Sequence, residues 1–561
     1  MPSPPEPASE VVAAALGRQA DGVAATPEDV TAANAALKDG RWPEAAAAFS
    51  ALAAESDDPG VHDGLAQAAW WLDDSETTLG AREAAYRGFR AIGNDRGAAR
   101  AAATLGYDSV LFGVGVAVGR GWLTRAADLL DGRSDLPEAG WLAVREAEVA
   151  LAVDHDATAA LDAATRAQRV GRSTADGDLV FVGQALTGLS RVRLGQVSAG
   201  MPLLDAAAAA ATAGDVEDLM WMGKICCWLI SACQETHDQD RAREWCARVE
   251  EICVRRDLAP LFAFCRTQYA SVLVEQGDYA EAEANLTDVL DILQQTRRGN
   301  RLDAVVQLGE LRRRQGRLAD AESLLRQASF HPRALTGLAQ VKLAQGDAVH
   351  AWSIITELLG SVPAEQQLER VDALAVAVAA GVAAGHVEEA RDAAAQLRAI
   401  ADGIRIDFLL GAGAAAEARL SAPEAAVAHW QVAVRRFHAA GLPFDEAECR
   451  LELAEAMLAL GDQSGAREHA AQALDALLPL QAGGAIDRAR ALLDPTDPSP
   501  LTQRQTEVLR LLARGLTNAE IATSLHLSEH TVHRHIANIY SILGLGSRVA
   551  AAAYAADRGL T

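Results

Sequence analysis

Apolar and polar positions along this chain fall into two patterns. Over most of its length a short phrase returns: a glycine, a polar residue, an apolar or aromatic one, two mostly small or acidic residues, then an alanine. It stands as Gly40-Arg41-Trp42-Pro43-Glu44-Ala45 and Gly277-Asp278-Tyr279-Ala280-Glu281-Ala282. It returns as Gly316-Arg317-Leu318-Ala319-Asp320-Ala321, Gly346-Asp347-Ala348-Val349-His350-Ala351 and Gly385-His386-Val387-Glu388-Glu389-Ala390, and Gly461-Asp462-Gln463-Ser464-Gly465-Ala466 is a weaker copy. From Gly277 onward successive glycines lie 39, 30 and 39 residues apart, near the period of helical-repeat arrays. Glycine can end one helix in the left-handed conformation, and the apolar residue and the alanine then seat the next helix closely against it. The pattern predicts helix-turn-helix hairpins over residues 27–493.

The last residues follow a different pattern. Asp494-Pro495-Thr496-Asp497-Pro498-Ser499-Pro500 cannot continue a helix and reads as a short, stiff linker. Residues 501–561 then divide into four predicted helices. Thr502 with Gln505, and Thr517 with Glu520, have capping-box spacing, and Ser528 and Ser547 can cap the third and fourth helices. The second helix is predicted from Asn518 to Leu525, and the third from Ser528 to just before Gly544. At about 100° per residue, Val532, Ile536, Ile539 and Leu543 form one buried stripe on the third helix. The opposite face carries His530, Arg534, Ala537 and Ser541, with His533 and Asn538 at its edges. A long helix with a small, polar, weakly cationic outer face suits entry into the major groove of DNA.

Composition supports many helices: half the residues are apolar, few are aromatic, and alanine is abundant. A chain of 561 residues is too long for one ordinary core, so a repeat array or several domains are expected. The formal charge of −25 speaks against nucleic acid until its distribution is considered. Residues 501–561 hold six arginines against four acids, a surplus of two, so residues 1–500 carry −27. A mildly basic end on an acidic body fits a DNA-reading head on a body that does not bind DNA. The start, Met1-Pro2-Ser3-Pro4-Pro5-Glu6-Pro7, lacks a basic segment followed by an apolar one, and residues 1–26 read as a disordered tail rather than a signal peptide. The longest apolar stretch, Ala373 to Gly385, is too short to span a bilayer. Seven cysteines do not make a disulfide framework. A cytoplasmic protein without a membrane partner is expected.

Three resemblances sharpen these expectations. The phrase at 277–282 resembles the tetratricopeptide repeat. Leu501-Thr502-Gln503-Arg504, Glu507-Val508-Leu509, Gly515-Leu516-Thr517-Asn518-Ala519-Glu520-Ile521-Ala522, Leu527-Ser528-Glu529-His530-Thr531-Val532-His533-Arg534-His535, Leu543-Gly544-Leu545 and Ser547-Arg548 resemble the LuxR-type DNA-binding domain throughout. The resemblance implies a helix-turn-helix motif from Thr517 to Ile536 that binds double-stranded DNA. It implies base contacts from His530, His533, Arg534, Ala537 and Asn538, and phosphate contacts from Thr517, Asn518, Ser528, Thr531, Ser547 and Arg548. It also implies a homodimer on DNA, joined through the fourth helix, where Ala550 to Ala553 are small enough for close contact. Three positions depart from the family. Gln505 stands where a glutamate usually pairs with the arginine at 548, and Ile542 and Gly546 replace residues that usually reach phosphate, so weak binding by a single copy is expected. Gly121-Trp122-Leu123, Leu203-Leu204-Asp205, Gly309-Glu310-Leu311-Arg312-Arg313 and Gly337-Leu338-Ala339 resemble LuxR-type regulators with a long tetratricopeptide-like N-terminal region. That resemblance implies no particular ligand, but the concave surface of a solenoid suits a protein or peptide partner.

Other chemistry leaves little trace. A P-loop needs a lysine at its end, yet Lys38, Lys224 and Lys342 are followed by Asp39, Ile225 and Leu343. Gly113-Val114-Gly115 with Gly119 has no strand before it and reads as helix packing. No receiver-like α/β alternation and no catalytic constellation is visible, so neither a cofactor nor enzymatic activity is expected. Six cysteines lie between 226 and 265. Cys226 and Cys233 share one helix face, Cys246 and Cys253 the next, and Cys265 follows. They read as small apolar filler without a metal, and the alternative is a metal or redox site that His237 could join. Arg312-Arg313-Arg314 with Arg317 reads as a solvated helix face that could hold an anion. The expectation is an all-α regulator made of a tetratricopeptide-like helical solenoid (27–493), a Pro-rich linker (494–500) and a four-helix LuxR-type domain (501–561). The competing reading is a scaffold whose terminal domain no longer binds DNA.

Overall fold

The computed structural model describes residues 27–256, 259–292, 300–493, 501, 503–525, 527–543, 545 and 547–557. The expected tail and the Pro-rich linker lie outside the described residues. Within these, 29 α-helices and no strand are present, running from Pro27–Lys38 to Arg548–Asp557. The chain is all-α: a helical solenoid up to Leu493, then four helices with their own core.

The recurring phrase does its work at each turn. Its glycine is left-handed in all six copies, at Gly40, Gly277, Gly316, Gly346, Gly385 and Gly461. Its final alanine is fully buried in every one, at Ala45, Ala282, Ala321, Ala351, Ala390 and Ala466. A methyl group at that position lets the second helix of each hairpin approach the first. The polar residue after the glycine can also cap the new helix. Asp347 Oδ1 accepts from the His350 amide at 3.3 Å, and Asp462 Oδ1 from the Gly465 amide at 2.9 Å.

Many hairpins lack the phrase. Seven turns place a non-glycine residue in the left-handed region: Asp73, Asp131, His155, Ala175, His237, Arg405 and Gln481. Each such residue costs ~1–2 kcal/mol of local strain, which packing of the flanking helices offsets. At Gly195 the phrase is disguised differently, because Gly200 occupies the alanine's place and a Cβ there would strike the Gly188 carbonyl. The glycines at 113–119 are helix packing: Gly113 and Gly115 form the turn between Asp95–Leu111 and Val116–Leu130, and Gly119 lies against the Gly106 carbonyl.

The solenoid coils tightly enough for its later helices to meet its earlier ones. Gln366 Nε2 donates to the His155 carbonyl at 2.6 Å, and the rings of His237 and Phe408 stack with centroids 3.6 Å apart. Arg314 Nη1 lies 3.4 Å from Asp445 Oδ2, Leu480 covers Gly277, and the Gly483 amide donates to the Gln315 carbonyl at 3.3 Å. One apolar core accordingly extends from Trp42 to Leu453, and a second joins residues 270–311 to residues 444–489.

These crossings revise one expectation and bear on one alternative. Arg312, Arg313 and Arg314 are not a solvated face. Arg312 pairs with Glu283 at 2.6 Å, Arg313 and Arg314 both reach Glu310 at 2.7 Å, and Arg314 continues to Asp445. Burial would raise the Glu310 carboxyl, but the two guanidiniums outweigh it and hold it down to about 2. The run is basic because it neutralises acids at a helix crossing. Arg317 alone stays at the surface, paired with Asp320. His237, for its part, does not join the thiols. Its ring is held between Phe408 and Glu275, with Nδ1 3.0 Å from the carboxylate.

Cys226, Cys233 and Cys246 are buried thiols outside any disulfide, while the side chains of Cys253 and Cys265 lie outside the described ones. Burial pushes Cys246 up to about 12 and Cys233 higher still, which suppresses thiolate chemistry. Among the described residues no group of three or more His, Cys, Asp or Glu side chains is placed to hold a metal ion. No helix among them is long and apolar enough to cross a membrane, and Ala373–Gly385 forms part of the packed helix Gln367–Ala384 and its glycine cap.

Candidate DNA-binding interface

The four C-terminal helices are Gln503–Ala513, Asn518–Leu525, Glu529–Leu543 and Arg548–Asp557. Leu501, Val508, Leu509, Leu512, Ile521, Val532, Ile536 and Ile539 bury their side chains together with Ala551 and Ala555. Three of the four stripe residues on the third helix are fully buried, and Leu543 is half-buried at its end.

Local chemistry fixes the angles between these helices. Gly515 is left-handed and closes the first helix, its amide donating to the Leu512 carbonyl at 3.0 Å. The second helix opens on a reciprocal capping box. The Thr517 amide donates to Glu520 Oε2 at 2.7 Å, and the Glu520 amide donates to Thr517 Oγ1 at 3.3 Å. The hydrogen bond from the Thr517 backbone lowers the Glu520 carboxyl below the usual range. Arg504 Nη2 donates to the Leu525 carbonyl at 2.5 Å and so fastens the end of the second helix to the start of the first. The third helix is capped by Ser528, whose Oγ accepts from the Thr531 amide at 3.1 Å. The fourth is capped by Ser547, whose Oγ accepts from the Ala550 amide at 3.2 Å. The other expected capping box includes Thr502, which lies outside the described residues.

His533, Arg534, Ala537 and Asn538 are all exposed on the outer face of Glu529–Leu543. The side chains of His530 and Ser541, which the sequence puts on the same face, lie outside the described ones. Thr517, Ser528 and Ser547 are exposed, and Asn518 and Thr531 are half-buried. Several of these hydroxyls are already engaged within the domain: Thr517 Oγ1 with Glu520, and Ser528 Oγ with Thr531 Oγ1 at 2.7 Å.

Arg548 is the arginine that the resemblance assigns to a phosphate contact. It is half-buried, donating to Asn518 Oδ1 at 3.0 Å and to the Leu516 carbonyl, so it braces the start of the second helix. Gln505 is buried, where a neutral amide costs less to desolvate than a carboxylate. Ile542's side chain and Gly546 lie outside the described ones.

Sequence reasoning passed over two cations. Arg510 and Arg514 lie four apart on and just beyond the first helix and are exposed, and with Arg534 they form no ion pair among the described residues. The signal was available in the spacing, because helical neighbours at i and i+4 share a face. The third helix holds a half-buried imidazole, His535, lowered by burial and by the charges of Arg504 and Arg534.

Residues 499–555 match the family of bacterial regulatory proteins, luxR family, and residues 263–329 match the tetratricopeptide repeat. The C-terminal unit is thus a LuxR-type helix-turn-helix domain, and the body carries tetratricopeptide repeats. Among curated relatives, Mb0914c of Mycobacterium bovis, named among HTH-type transcriptional regulators, is 30% identical over 234 residues, covering 40% of this chain and 26% of that protein. The nitrate/nitrite response regulator protein NarP of Escherichia coli is 52% identical over 56 residues, 10% of this chain and 26% of its own length. The transcriptional regulatory protein LnrK of Bacillus subtilis is 41% identical over 76 residues, 14% of this chain and 32% of its own. The chain therefore spans only 26% to 32% of the length of these relatives. Among solved structures, the APC/C hetero-tetramer Cut9–Hcn1 aligns with 83% of this chain and 90% of its own at 14% identity, with a TM-score of 0.41. Rap protein complexed with competence and sporulation factor aligns with 68% of this chain and 98% of its own at 12% identity, with a TM-score of 0.40.

Proposed function

We propose that the protein is a sequence-specific DNA-binding transcription regulator, without enzymatic activity, that acts in the cytoplasm. Its helix-turn-helix, Thr517 to Ile536, reads the major groove. The observation that carries this reading is the outer face of Glu529–Leu543, where His533, Arg534, Ala537 and Asn538 stand exposed with Arg534 free of any ion pair among the described residues. Arg534 is the base-reading cation, since a guanidinium can grip guanine with two hydrogen bonds. His530 belongs to the same face by helical register. Phosphates are held by Ser528, Thr531, Ser547, Thr517 and Asn518 around the helix starts, where free backbone amides also favour anions. Arg510 and Arg514 join this set, and Arg548 acts by positioning.

A homodimer on DNA is the natural assembly. Val549 on the fourth helix is 80% exposed, and Ala553, one turn on, is exposed as well. This leaves a small apolar strip for a second copy. The body, residues 27–493, serves as the regulatory and protein-interaction part, joined to the head by 494–500. Genome-wide mapping of binding sites tests the proposal. A set of sites sharing a palindromic sequence is expected, and occupancy without any shared sequence would favour the scaffold reading.

A further inference from the structure

Where the later helices of the solenoid cross the earlier ones, they leave a polar cavity of about 330 Å³. Ser231, Gln234 and Gln268 line one side, and Arg333, Asp372 and Phe408 come from the later helices. A second cavity of about 300 Å³ shares His155, Arg193, Leu368 and Glu369 with the first. Volumes of this order are at the lower end for small-molecule sites.

Most of the charged lining is already paired. Arg193 holds Glu235 at 2.9 Å, His155 lies 3.5 Å from Glu369, and His331 lies 3.3 Å from Asp303. Two charges are not. Among the described residues the Arg333 guanidinium makes no hydrogen bond and no ion pair, and neither does the Asp372 carboxylate; the Arg333 backbone amide donates to His331 Nδ1 at 3.2 Å. Both residues are exposed to water. They are near enough to feel each other: partial desolvation by the surrounding protein raises the Asp372 carboxyl, and the charges of His237 and Arg333 pull against that rise. Among the described residues the side-chain amides of Gln268 and Gln307 and the hydroxyl of Ser231 are likewise uncommitted, and Val306, Leu368 and Phe408 supply apolar wall.

We propose that this cavity binds a small zwitterion carrying an α-carboxylate and an α-ammonium group, an amino acid or a peptide of two or three residues. The carboxylate pairs with Arg333 and the ammonium with Asp372. A simple anion would meet Asp372 and Glu369, and a simple cation would meet Arg333, whereas a zwitterion satisfies both free charges at once. The glutamine amides match the peptide groups of the longer ligands, and the apolar wall takes a side chain. Because the site is built from both courses of the solenoid, its occupant ties the crossing together. This inference concerns the body alone and stands independently of DNA binding.

The test uses the full chain in thermal-shift and calorimetric titrations against the twenty free amino acids, then pools of dipeptides and tripeptides with free ends. At least one probe is expected to bind, and which pool succeeds separates amino acid from peptide. The N-acetylated and C-amidated forms of that probe should each bind at least about tenfold more weakly to the unaltered protein. Arg333→Met and Asp372→Asn should each weaken the free probe by a similar factor, checked for folding by circular dichroism. Absence of binding by every probe at about 10 mM, or equal binding of the free and capped forms, overturns the proposal.

Discussion

Arg534 and Arg548 carry the same guanidinium into opposite settings. Arg534 projects from Glu529–Leu543 into solvent, and in the proposed function it stays hydrated until a guanine edge replaces the water. Arg548 is half-buried and spends its donors on Asn518 and the Leu516 carbonyl. Substituting it leaves both acceptors without their charged partner and loosens the start of the second helix. Arg548→Ala is therefore expected to destabilise the C-terminal domain by ~1–3 kcal/mol while leaving the preferred DNA sequence unchanged. Thermal unfolding beside a DNA selection checks this, and an altered consensus at unchanged stability would place Arg548 on the DNA. Residue type alone could not separate the two roles. The sequence revealed two arginines near a helix-turn-helix, but only the three-dimensional arrangement reveals which one has its hydrogen bonds already made. The same holds for Arg312–Arg314, whose acidic partners include Asp445, 131 residues from Arg314.

At the scale of the element, the turns between helices decide stability. Gly277 and Gly346 share the left-handed conformation, so an alanine at either costs ~1–2 kcal/mol. They differ in surroundings: a Cβ at Gly346 meets open space, and one at Gly277 runs into Leu480 from the far side of the crossing. Gly277→Ala is expected to cost more than Gly346→Ala by about 1 kcal/mol or more, as measured by denaturant unfolding; equal costs would mean the crossing yields freely. His237 gives its turn a pH dependence. Burial would lower its imidazole, but the charge and hydrogen bond of Glu275 raise it above the ordinary 6.5. A raised histidine contributes its full stability below its unfolded value and loses it as pH climbs through the folded one. Burial would raise Glu275, but His237 lowers it below 4.5, so its share is lost only as pH falls through that lower value. The stability advantage of the wild type over His237→Asn should shrink as pH rises from 6.5, and an advantage constant from there to pH 9 would show the pair is not charged. Helical hairpins were legible at six turns where a glycine is followed by an alanine at the sixth place, and the same form at Gly93 to Ala98, with polar Asp95 at the third place, went unread. They were hidden where Asp, His, Ala, Arg or Gln took the left-handed position, because packing rather than propensity holds those turns.

For the whole molecule, the body and the head differ in charge, with −27 in residues 1–500 against a surplus of two positive charges in residues 501–561. The seven linking residues reach no more than about 25 Å, a few Debye lengths at physiological salt. The acidic body is expected to oppose the approach of DNA, so fragment 494–561 should bind an operator more tightly than the full chain at low salt. That gap should narrow as salt rises, and titrations of the two at matched salt would expose equal affinities if the body supplies no restraint. The all-α class, the repeat character and the DNA-binding domain were readable from local patterns; the coiling that brings His155 to Glu369 and His237 to Phe408 was not. Those contacts join residues more than 150 positions apart, and no local pattern encodes them. The central claim is that Glu529–Leu543 reads base sequence, and its most direct measurement starts from DNA selected from a random pool by the full chain. Wild type and Arg534→Ala are then titrated on the selected site and on scrambled DNA. The expected result is a palindromic consensus, a loss of ~1–3 kcal/mol for Arg534→Ala on the selected site, and little change on scrambled DNA. No enriched sequence, or equal affinity of the two proteins for the selected site, would contradict it.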